Sequence, residues 1–514
     1  MSATLYSFAQ AMPPLPIEPA PRRNHAVIDI GSNSVRLVVY RVEGRANAPI
    51  LNEKILAGLG RGMAATGRLD PGGVTRALAA LARYRLLVDA MGVDDVDVVA
   101  TAAVREAQDR DSFVAEVAAR SGFEVRVVSG REEGRLSALG VMSGAPSATG
   151  VAGDLGGSSL ELVTLTGDEV AGGESWQLGP LAVSQPDPPD LALLRSRVDA
   201  VLERSEVLRA VTGGEFHAVG GAWRALARIN MNLRKYPLKV LHNYAIPRAE
   251  ALELCELVAR QSKKSVSGMD PQAGKRAETV PYAALLLERL LLAAPFSDVV
   301  ISSHGLREGI LFEHLRPAER AQDPLVAGAI AMLGADRRAI AFGRTLFDWI
   351  SPLFHGLPRL FPEGRGRVVR LTACLLSDLG ATLHPDDRAR IAFELALRAP
   401  YPAASHVERA FIARALARRY TVRLDWVEAD DVSRLLDEGR RQRADSIGAA
   451  MRLGADLSGR SAEILARCPL TLEEGTVTLR APASHADLFA EHALKRLDQL
   501  GEALGLPVRA VVEP

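Results

Sequence analysis

The chain has 514 residues, and 62 Lys and Arg residues balance 62 Asp and Glu residues, so its formal net charge is zero. At roughly 100–200 residues per domain, this length predicts about two to four domains that each bury a core. Hydrophobic residues at 48% and charged residues at 24% exclude a disordered chain, a coiled coil and a protein that binds polyanions over its whole surface. We therefore expect no specific nucleic-acid binding, and a phosphate-bearing partner needs a local site.

The termini and the cysteines predict a cytoplasmic protein. Cys255, Cys374 and Cys468 lie far apart, without the spacing of a disulfide framework or a zinc cluster. Residues 1–24 contain the run AMPPLPIEPAP, whose prolines interrupt any secretory signal, so we expect a flexible tail. No window reaches about 18 consecutive apolar residues, and no membrane span is expected.

From His25 onward, short β-rich runs alternate with Ala- and Leu-rich stretches, which predicts an α/β fold. The predicted strands cover residues 26–30, 35–42, 95–101 and 123–129, with helices over 73–91 and 105–120 and a further strand pair within 151–167.

The strand signal fades from about Pro317. Residues 320–450 have the periodicity of consecutive amphipathic helices, and short strands return over 476–481 and 507–513. Domain boundaries are predicted near residue 145 and within 316–324, where turn-forming residues interrupt the pattern.

A duplication 125 residues apart is the most informative feature. The segment VIDIGSNSVRLVV (27–39) aligns with AGDLGGSSLELVT (152–164), and each copy predicts a strand, an Asp-x-Gly-x-x-Ser turn and a second strand. One such turn is typical of a plain β-hairpin, but two copies in register favour a shared function. The alignment pairs Asp29 with Asp154, Gly31 with Gly156, Ser34 with Ser159 and Leu37 with Leu162.

Such turns suit a phosphate chain. Glycines let the backbone approach an anion and expose successive N–H groups, and serine hydroxyls add donors. An aspartate at the strand end can hold Mg²⁺ or its water. Two facing copies would clamp one phosphate chain between them. The candidate cradle consists of Gly31, Ser32, Asn33 and Ser34 with Gly156, Gly157, Ser158 and Ser159.

Two further segments are candidates on chemistry alone. Gly220 and Gly221 predict a second glycine turn before a helix that starts near Trp223, where helix N–H groups favour an anion. Glu132 and Glu133 precede an apolar run, and by themselves they are more typical of the solvated first turn of a helix than of a catalytic site.

Six motifs in order resemble the exopolyphosphatase and guanosine-pentaphosphate phosphohydrolase (Ppx/GppA) family, within the sugar-kinase, actin and Hsp70-like ATPase superfamily. The resemblance covers about residues 25–315. The motifs are VIDIGSNSVRLVV (27–39), ATAAVREAQD (100–109), VVSGREEGRLSALGV (127–141), GDLGGSSLELV (153–163), AVGGAWRALARI (218–229) and SHGLREGILFE (303–313).

The resemblance implies catalytic roles. It places the catalytic carboxylate at Glu133, which would orient or deprotonate the attacking water. It implies that Arg105 faces the phosphates, and that Asp29 and Asp154 hold Mg²⁺. Glu161 either supports the metal or orients a loop.

This sequence departs from the family at several positions. Gly134 stands where Ala is common, and Ser158 replaces a third glycine, which narrows the second turn. Arg276 matches a segment that binds the far end of the substrate, but Glu278 replaces an Asp and PYAA (281–284) replaces Pro-Ala-Gly. Arg307 and Glu308 are expected to pair between a helix and the cleft.

The C-terminal region resembles an HD-type phosphohydrolase domain that has lost its metal pair. Ser377 precedes Asp378 where a His-Asp pair is needed, and His355, His384 and His406 are scattered. We expect a scaffold, a dimer surface or a substrate wall rather than a metal site.

The resemblance therefore implies two actin- or ribonuclease-H-like lobes with a cleft and a mostly α-helical HD-like domain. The expected limits are a tail (1–24), two lobes (25–145 and 146–316) and the helical domain (317–514).

The expected function is Mg²⁺-dependent release of terminal orthophosphate from inorganic polyphosphate by a homodimer. Two alternatives stay open: removal of the 5′ γ-phosphate from guanosine pentaphosphate (pppGpp), the stringent-response nucleotide, and non-catalytic binding of polyphosphate or pppGpp by a regulator.

Overall fold

A computed structural model describes residues 20–167, 169–183, 190–334 and 336–514 of the chain. Residues 1–19 of the predicted tail lie outside the described part. The last residues of that tail are not loose, because the first strand begins at Arg22, where the Arg22 Nε atom lies 2.7 Å from the Glu43 carboxylate on the next strand.

The first sheet has five strands in the order β3-β2-β1-β4-β5. Strands β3, β2 and β1 are antiparallel, whereas β1, β4 and β5 run parallel. Its elements are β1 Arg22–Ile30, β2 Val35–Glu43, β3 Ala46–Ile55, β4 Asp95–Ala100 and β5 Val125–Val127, with α1 Met63–Thr66, α2 Pro71–Ala90, α3 Ala102–Glu106, α4 Arg110–Ser121 and α5 Gly130–Gly144.

The second sheet repeats this topology. Its order is β10-β11-β9-β6-β7-β8, with β8, β7 and β6 antiparallel, β6, β9 and β11 parallel, and the extra β10 antiparallel at the edge. Its elements are β6 Thr149–Leu155, β7 Leu160–Thr166, β8 Val170–Trp176, β9 Glu215–Val219, β10 Tyr244–Pro247 and β11 Asp298–Ile301, with α6 Leu191–Leu202, α7 Glu206–Arg209, α8 Gly221–Leu233, α9 Arg248–Ala259, α10 Lys263–Met269, α11 Val280–Ala293 and α12 Leu306–Glu313.

Each half has its own apolar core, and two helices cross between them. Helix α5 follows the first sheet but packs on β6, β7 and β8, whereas α12 follows the second sheet and packs on β1. The two helices cross in direct contact: a Cβ on Gly309 would lie 1.8 Å from the Leu136 carbonyl oxygen, and a Cβ on Gly140 would lie 2.1 Å from that of Gly305. Only glycine allows this approach.

The C-terminal part is a helical domain with a small sheet in the order β12-β13-β14. The two lobes and this helical domain confirm the predicted fold class, while the predicted domain limits stay predictions. The elements are α13 Pro317–Arg320, α14 Pro324–Leu333, α15 Arg337–Ile350, α16 Arg365–Leu375, α17 Arg388–Arg398, α18 His406–Tyr420, α19 Asp425–Glu428, α20 Glu438–Ser458, α21 Ala462–Ala466, β12 Leu470–Glu473, β13 Thr476–Pro482, α22 Glu491–Leu504 and β14 Val508–Glu513.

At the position that resembles an HD motif, Asp378 is buried and its carboxylate lies 2.9 Å from Arg338 Nη2. His406 donates to or accepts from the Tyr236 hydroxyl at 3.0 Å, joining this domain to the second lobe. None of the described helices combines the length and hydropathy of a bilayer span. The three cysteines are buried free thiols.

Candidate functional site

A cavity of about 260 Å³ opens between the two lobes, at the ends of the strands that carry the duplicated turns. All of the predicted site residues line it except Arg105 and Glu161. The lining residues that the sequence predicted are Asp29, Gly31, Ser32, Asn33, Ser34, Glu133, Asp154, Gly156, Gly157, Ser158, Ser159, Gly220, Gly221 and Arg276.

The two duplicated turns have the same backbone geometry. Gly31 N–H donates to the Ser34 carbonyl oxygen and Gly156 N–H donates to that of Ser159, each at 3.0 Å. The turns also meet, because the Ser158 hydroxyl donates to the Ser32 hydroxyl at 3.1 Å. The serine that replaces a glycine therefore contacts the opposite turn. The backbone N–H groups between the closing residues (32, 33, 157 and 158) donate to no protein acceptor within the described ranges, which leaves them for an anion.

Asp29 and Asp154 are the next-to-last residues of the equivalent strands β1 and β6. Burial raises the pKa of Asp29, and the Arg307 guanidinium, 3.4 Å away, opposes that shift. Burial also raises the pKa of Asp154, although its carboxylate accepts a hydrogen bond from the Ser137 hydroxyl. The site therefore holds two partly buried carboxylates that a nearby cation would stabilise in the ionised form.

The structure distinguishes the two glutamates of the first turn of α5. Ser129 caps this helix, because its hydroxyl accepts a hydrogen bond from Glu132 N–H. The Glu132 side chain does not line the cleft and accepts a hydrogen bond of 2.8 Å from Arg135 Nε. Glu133 lines the cleft and is 9% exposed. Burial raises the pKa of Glu133 to about 7, although a hydrogen bond from Arg105 opposes the shift. A carboxylate with this pKa suits proton transfer near neutral pH.

Arg105 does not line the cleft in this structure, and its expected contact with the phosphates stays a prediction. Its Nη1 atom donates to Glu133 Oε2 at 2.9 Å and to the Val128 carbonyl oxygen at 3.1 Å. These two bonds hold the guanidinium behind Glu133, beside a separate groove. Arg105 contacts the candidate base in this structure.

Glu161 also lies behind the cleft. It is directly opposite Asp154 in the β6–β7 hairpin, is 1% exposed and accepts a hydrogen bond from the Ser175 hydroxyl at 2.8 Å. Burial raises the pKa of Glu161, and the nearby Glu133 and Asp154 carboxylates add to that shift. Gly134 fits this packing, because a Cβ there would lie 3.1 Å from the Glu161 Cβ.

The glycine turn before α8 forms the third wall. Gly220 has φ +119°, and a Cβ on it would lie 2.5 Å from the Leu155 carbonyl oxygen. The Arg276 guanidinium covers Gly221, where a Cβ would lie 2.3 Å from Arg276 Cζ. The helix starts at Gly221 rather than near Trp223 as predicted, so its first N–H groups lie at the cleft.

The sequence did not predict four basic residues of the cleft as binding residues, namely Arg36, Lys54, Arg224 and Arg307. They repel one another: burial, followed by neighbouring arginines, lowers the pKa of Lys54 to about 8 and the pKa of Arg224 to about 10. For Arg36, its position on β2 directly opposite Asp29 of β1 could have indicated a place in the site. With Arg276 they form the cation cluster, which we define as Arg36, Lys54, Arg224, Arg276 and Arg307.

Comparison with known proteins gives family matches for both parts of the chain. Residues 38–318 match the Ppx/GppA phosphatase family, and residues 327–511 match the family described as exopolyphosphatase, C-terminal. Exopolyphosphatase 2 of Mycobacterium tuberculosis is 30% identical over 308 residues, which cover 55% of this chain and 96% of that protein.

Two solved structures resemble the two-lobed part. The Ppx/GppA family member from Aquifex aeolicus is 26% identical, with a TM-score of 0.51, over 57% of this chain and 97% of its own. An exopolyphosphatase from Cytophaga hutchinsonii shares the fold at 22% identity, with a TM-score of 0.52, over 57% of this chain and 98% of its own.

Proposed function

We propose that this chain, which belongs to the Ppx/GppA phosphatase family, is an exopolyphosphatase that hydrolyses the terminal phosphoanhydride of inorganic polyphosphate. The observation that carries the proposal is a single arrangement: the buried Glu133 carboxylate faces a cavity that two equivalent glycine-serine turns enclose. The exopolyphosphatases among its relatives support the substrate class.

The terminal phosphoryl group would bind between the two turns. The free N–H groups of residues 32, 33, 157 and 158 would donate to its oxygens, since they have no other acceptor in the described ranges. The hydrogen bond between the Ser32 and Ser158 hydroxyls would exchange for bonds to phosphate. Fixed donors of this kind stabilise the charge of phosphoryl transfer without reorganising during the reaction.

Glu133 would accept a proton from the attacking water. The water oxygen forms a bond to the terminal phosphorus while the bond from that phosphorus to the bridging oxygen breaks. The shortened chain leaves with the bridging oxygen. Arg105 holds the carboxylate at 2.9 Å and favours its ionised form, which is the form that accepts the proton.

Asp29 and Asp154 fit a divalent cation such as Mg²⁺. Both offer oxygen ligands, both are partly buried, and each raises the pKa of Glu133. We propose that these two residues hold the ion, which when bound would reduce the negative charge on the phosphate oxygens. Ser137 would orient Asp154 through its hydroxyl.

The cation cluster would bind the phosphates that follow the terminal one. Its five side chains come from β2, β3, α8, α12 and the Ala273–Arg276 turn, and all five line the cavity. A chain with one negative charge per internal phosphate would relieve their mutual repulsion.

Phosphate release from long-chain polyphosphate and from pppGpp, each with and without Mg²⁺, tests the proposal. We expect Glu133→Gln to lower kcat on polyphosphate by about 10²–10⁴-fold, while Glu132→Gln, whose side chain pairs with Arg135, leaves it unchanged. A wild-type rate in Glu133→Gln would refute the assigned base. Faster turnover of pppGpp would favour the nucleotide substrate, and tight binding without turnover of either compound would favour a regulator.

The proposed assembly is a homodimer in the cytoplasm. Free buried thiols fit a reducing compartment. Sedimentation velocity of the full chain tests the dimer, and fractionation of the producing cell tests the location.

A further inference from the structure

Two histidines and an aspartate lie together on the first lobe, away from the cleft. His25 is near the start of β1, Asp97 is on the neighbouring β4, and His314 directly follows α12. One nitrogen or oxygen atom from each lies within 4.8 Å of the others. His25 and Asp29 are four residues apart on β1, so this cluster is about 13 Å from the Asp29 end of the cleft.

The three side chains converge on a single point. His25 Nε2 lies 2.7 Å and His314 Nε2 lies 3.0 Å from the same atom, Asp97 Oδ2. The two imidazole centroids are 5.1 Å apart, and the rings are tilted by 54°. His25 Nδ1 is buried and has no partner among the described residues, so the Nε2 edge carries the polar interactions of that ring.

The donor set and its spacing suit a borderline divalent cation. Imidazole nitrogen with carboxylate oxygen is a common set for Zn²⁺. Ligands at 2.0–2.1 Å in a tetrahedron are about 3.3 Å apart, so the N···O distances of 2.7 and 3.0 Å need to open by about 0.6 and 0.3 Å.

The surroundings support the same ligand. The His25 side chain is 1% exposed, whereas those of Asp97 and His314 are 25% and 47% exposed. The outer side is therefore open for entry of an ion and for a water as fourth ligand.

We propose that His25, Asp97 and His314 form a second metal site, for Zn²⁺ or a similar borderline cation, that ties the end of α12 to the first sheet. The site is separate from the cleft carboxylates in donor type and in position. Helix α12 is about 12 Å long and carries Arg307, which contacts Asp29, near its other end. Bound metal fixes the end of the helix that positions this arginine, and the inference does not depend on the reaction in the cleft.

Zinc binding to the metal-stripped full chain tests the site. Excess Mg²⁺ occupies the oxygen ligands of the cleft, and a competing fluorescent chelator reports the remaining Zn²⁺ affinity. We expect one equivalent to bind the wild type, and His314→Ala or Asp97→Asn to weaken it at least about tenfold. Both residues are partly exposed, which favours folding of the variants. His384→Ala is the control, because His384 is exposed and belongs to the C-terminal domain.

Two further readouts keep the inference falsifiable. Four-coordinate, tetrahedral Co²⁺ absorbs more strongly in the visible than six-coordinate Co²⁺, the form expected on the oxygen ligands of the cleft, and His314→Ala should lose that absorption. Zn²⁺ should raise the Tm of the wild type and of His384→Ala but not of His314→Ala. Equal zinc affinity in the wild type and His314→Ala overturns the site. A variant that lowers the Tm of the metal-free chain while wild type binds no zinc shows a hydrogen-bond network only, which also overturns it.

Discussion

Replacement of Arg105 by Gln tests whether this arginine acts through Glu133 or on the phosphates. Arg105 Nη1 and Glu133 Oε2 are 2.9 Å apart, and their side chains are only 19% and 11% exposed. A hydrogen bond to a charged group at such a site contributes about 1.5–3 kcal/mol. Because about 1.36 kcal/mol corresponds to one pKa unit, removal of Arg105 should raise the pKa of Glu133 by about one to two units.

The sign follows from the proton that Glu133 must accept. The ionised carboxylate is the base, so a higher pKa moves the acid limb of the rate profile to higher pH. From a pKa of about 7, the ionised fraction at pH 7 falls from about one half to about one tenth or one hundredth, which predicts a roughly five- to fiftyfold loss of kcat/KM. Above the new pKa the loss should shrink.

The assay is phosphate release from polyphosphate between pH 5.5 and about 9.5 at fixed Mg²⁺ and ionic strength, which spans both limbs. Arg131→Gln is the matched control, since Arg131 borders the same groove as Arg105 and has no bond to Glu133. An equal loss at every pH, with the acid limb unmoved, would refute the reasoning and return Arg105 to direct contact with the phosphates.

Three further predictions concern packing, buried charge and substrate binding. Gly309→Ala should destabilise the chain to denaturant by about 3 kcal/mol, because its Cβ would lie 1.8 Å from the Leu136 oxygen, whereas Gly268→Ala on α10, with no atom within 4 Å, should be neutral or stabilising. Glu161→Gln should raise the Tm of the metal-free chain at pH 8 but not near pH 4.5, since a raised pKa costs the wild type stability as pH rises; an equal difference at both pH values would contradict this. Lys54→Met should lower kcat/KM for long polyphosphate several-fold at pH 7. In the wild type, Lys54 has a pKa of about 8, so kcat/KM should decline above pH 8 as Lys54 loses its proton, and the variant should lack this decline. An equal decline in the variant would exclude a role for Lys54 in binding.

The sequence predicted the features of the site that are formed by residues close together along the chain. The two turns share a pattern of Asp, Gly and Ser at fixed spacing, and the structure gives both the same 3.0 Å closing bond. The helix predicted over 105–120 breaks at Ala107, where Gln108 N–H donates to the Gly67 carbonyl oxygen. That bond joins segments 41 residues apart, and no periodicity within the helix reports it.

The positions of the cations depended on long-range packing in the same way. Arg36 alternates with apolar residues on β2 and is typical of a solvent-facing strand position. Lys54 belongs to β3, an edge strand rich in polar residues that the sequence did not predict. Only the packing of the two lobes around the cleft brings these residues to one cavity with Arg224 of α8 and Arg307 of α12.

Although the net charge of the chain is zero, the cleft contains one group of carboxylates and one group of cations. Within each group, like charges repel one another. Within the cleft, Asp154 and Asp29 raise the pKa of Glu133 and Asp29 raises that of Asp154, while neighbouring arginines lower the pKa of Lys54 and of Arg224. The contact between Arg307 and Asp29 neutralises only part of this charge. A divalent cation together with a phosphate chain supplies the opposite charge to both groups at once. We therefore expect metal and polyphosphate to bind with positive coupling, because each relieves the repulsion that opposes the other.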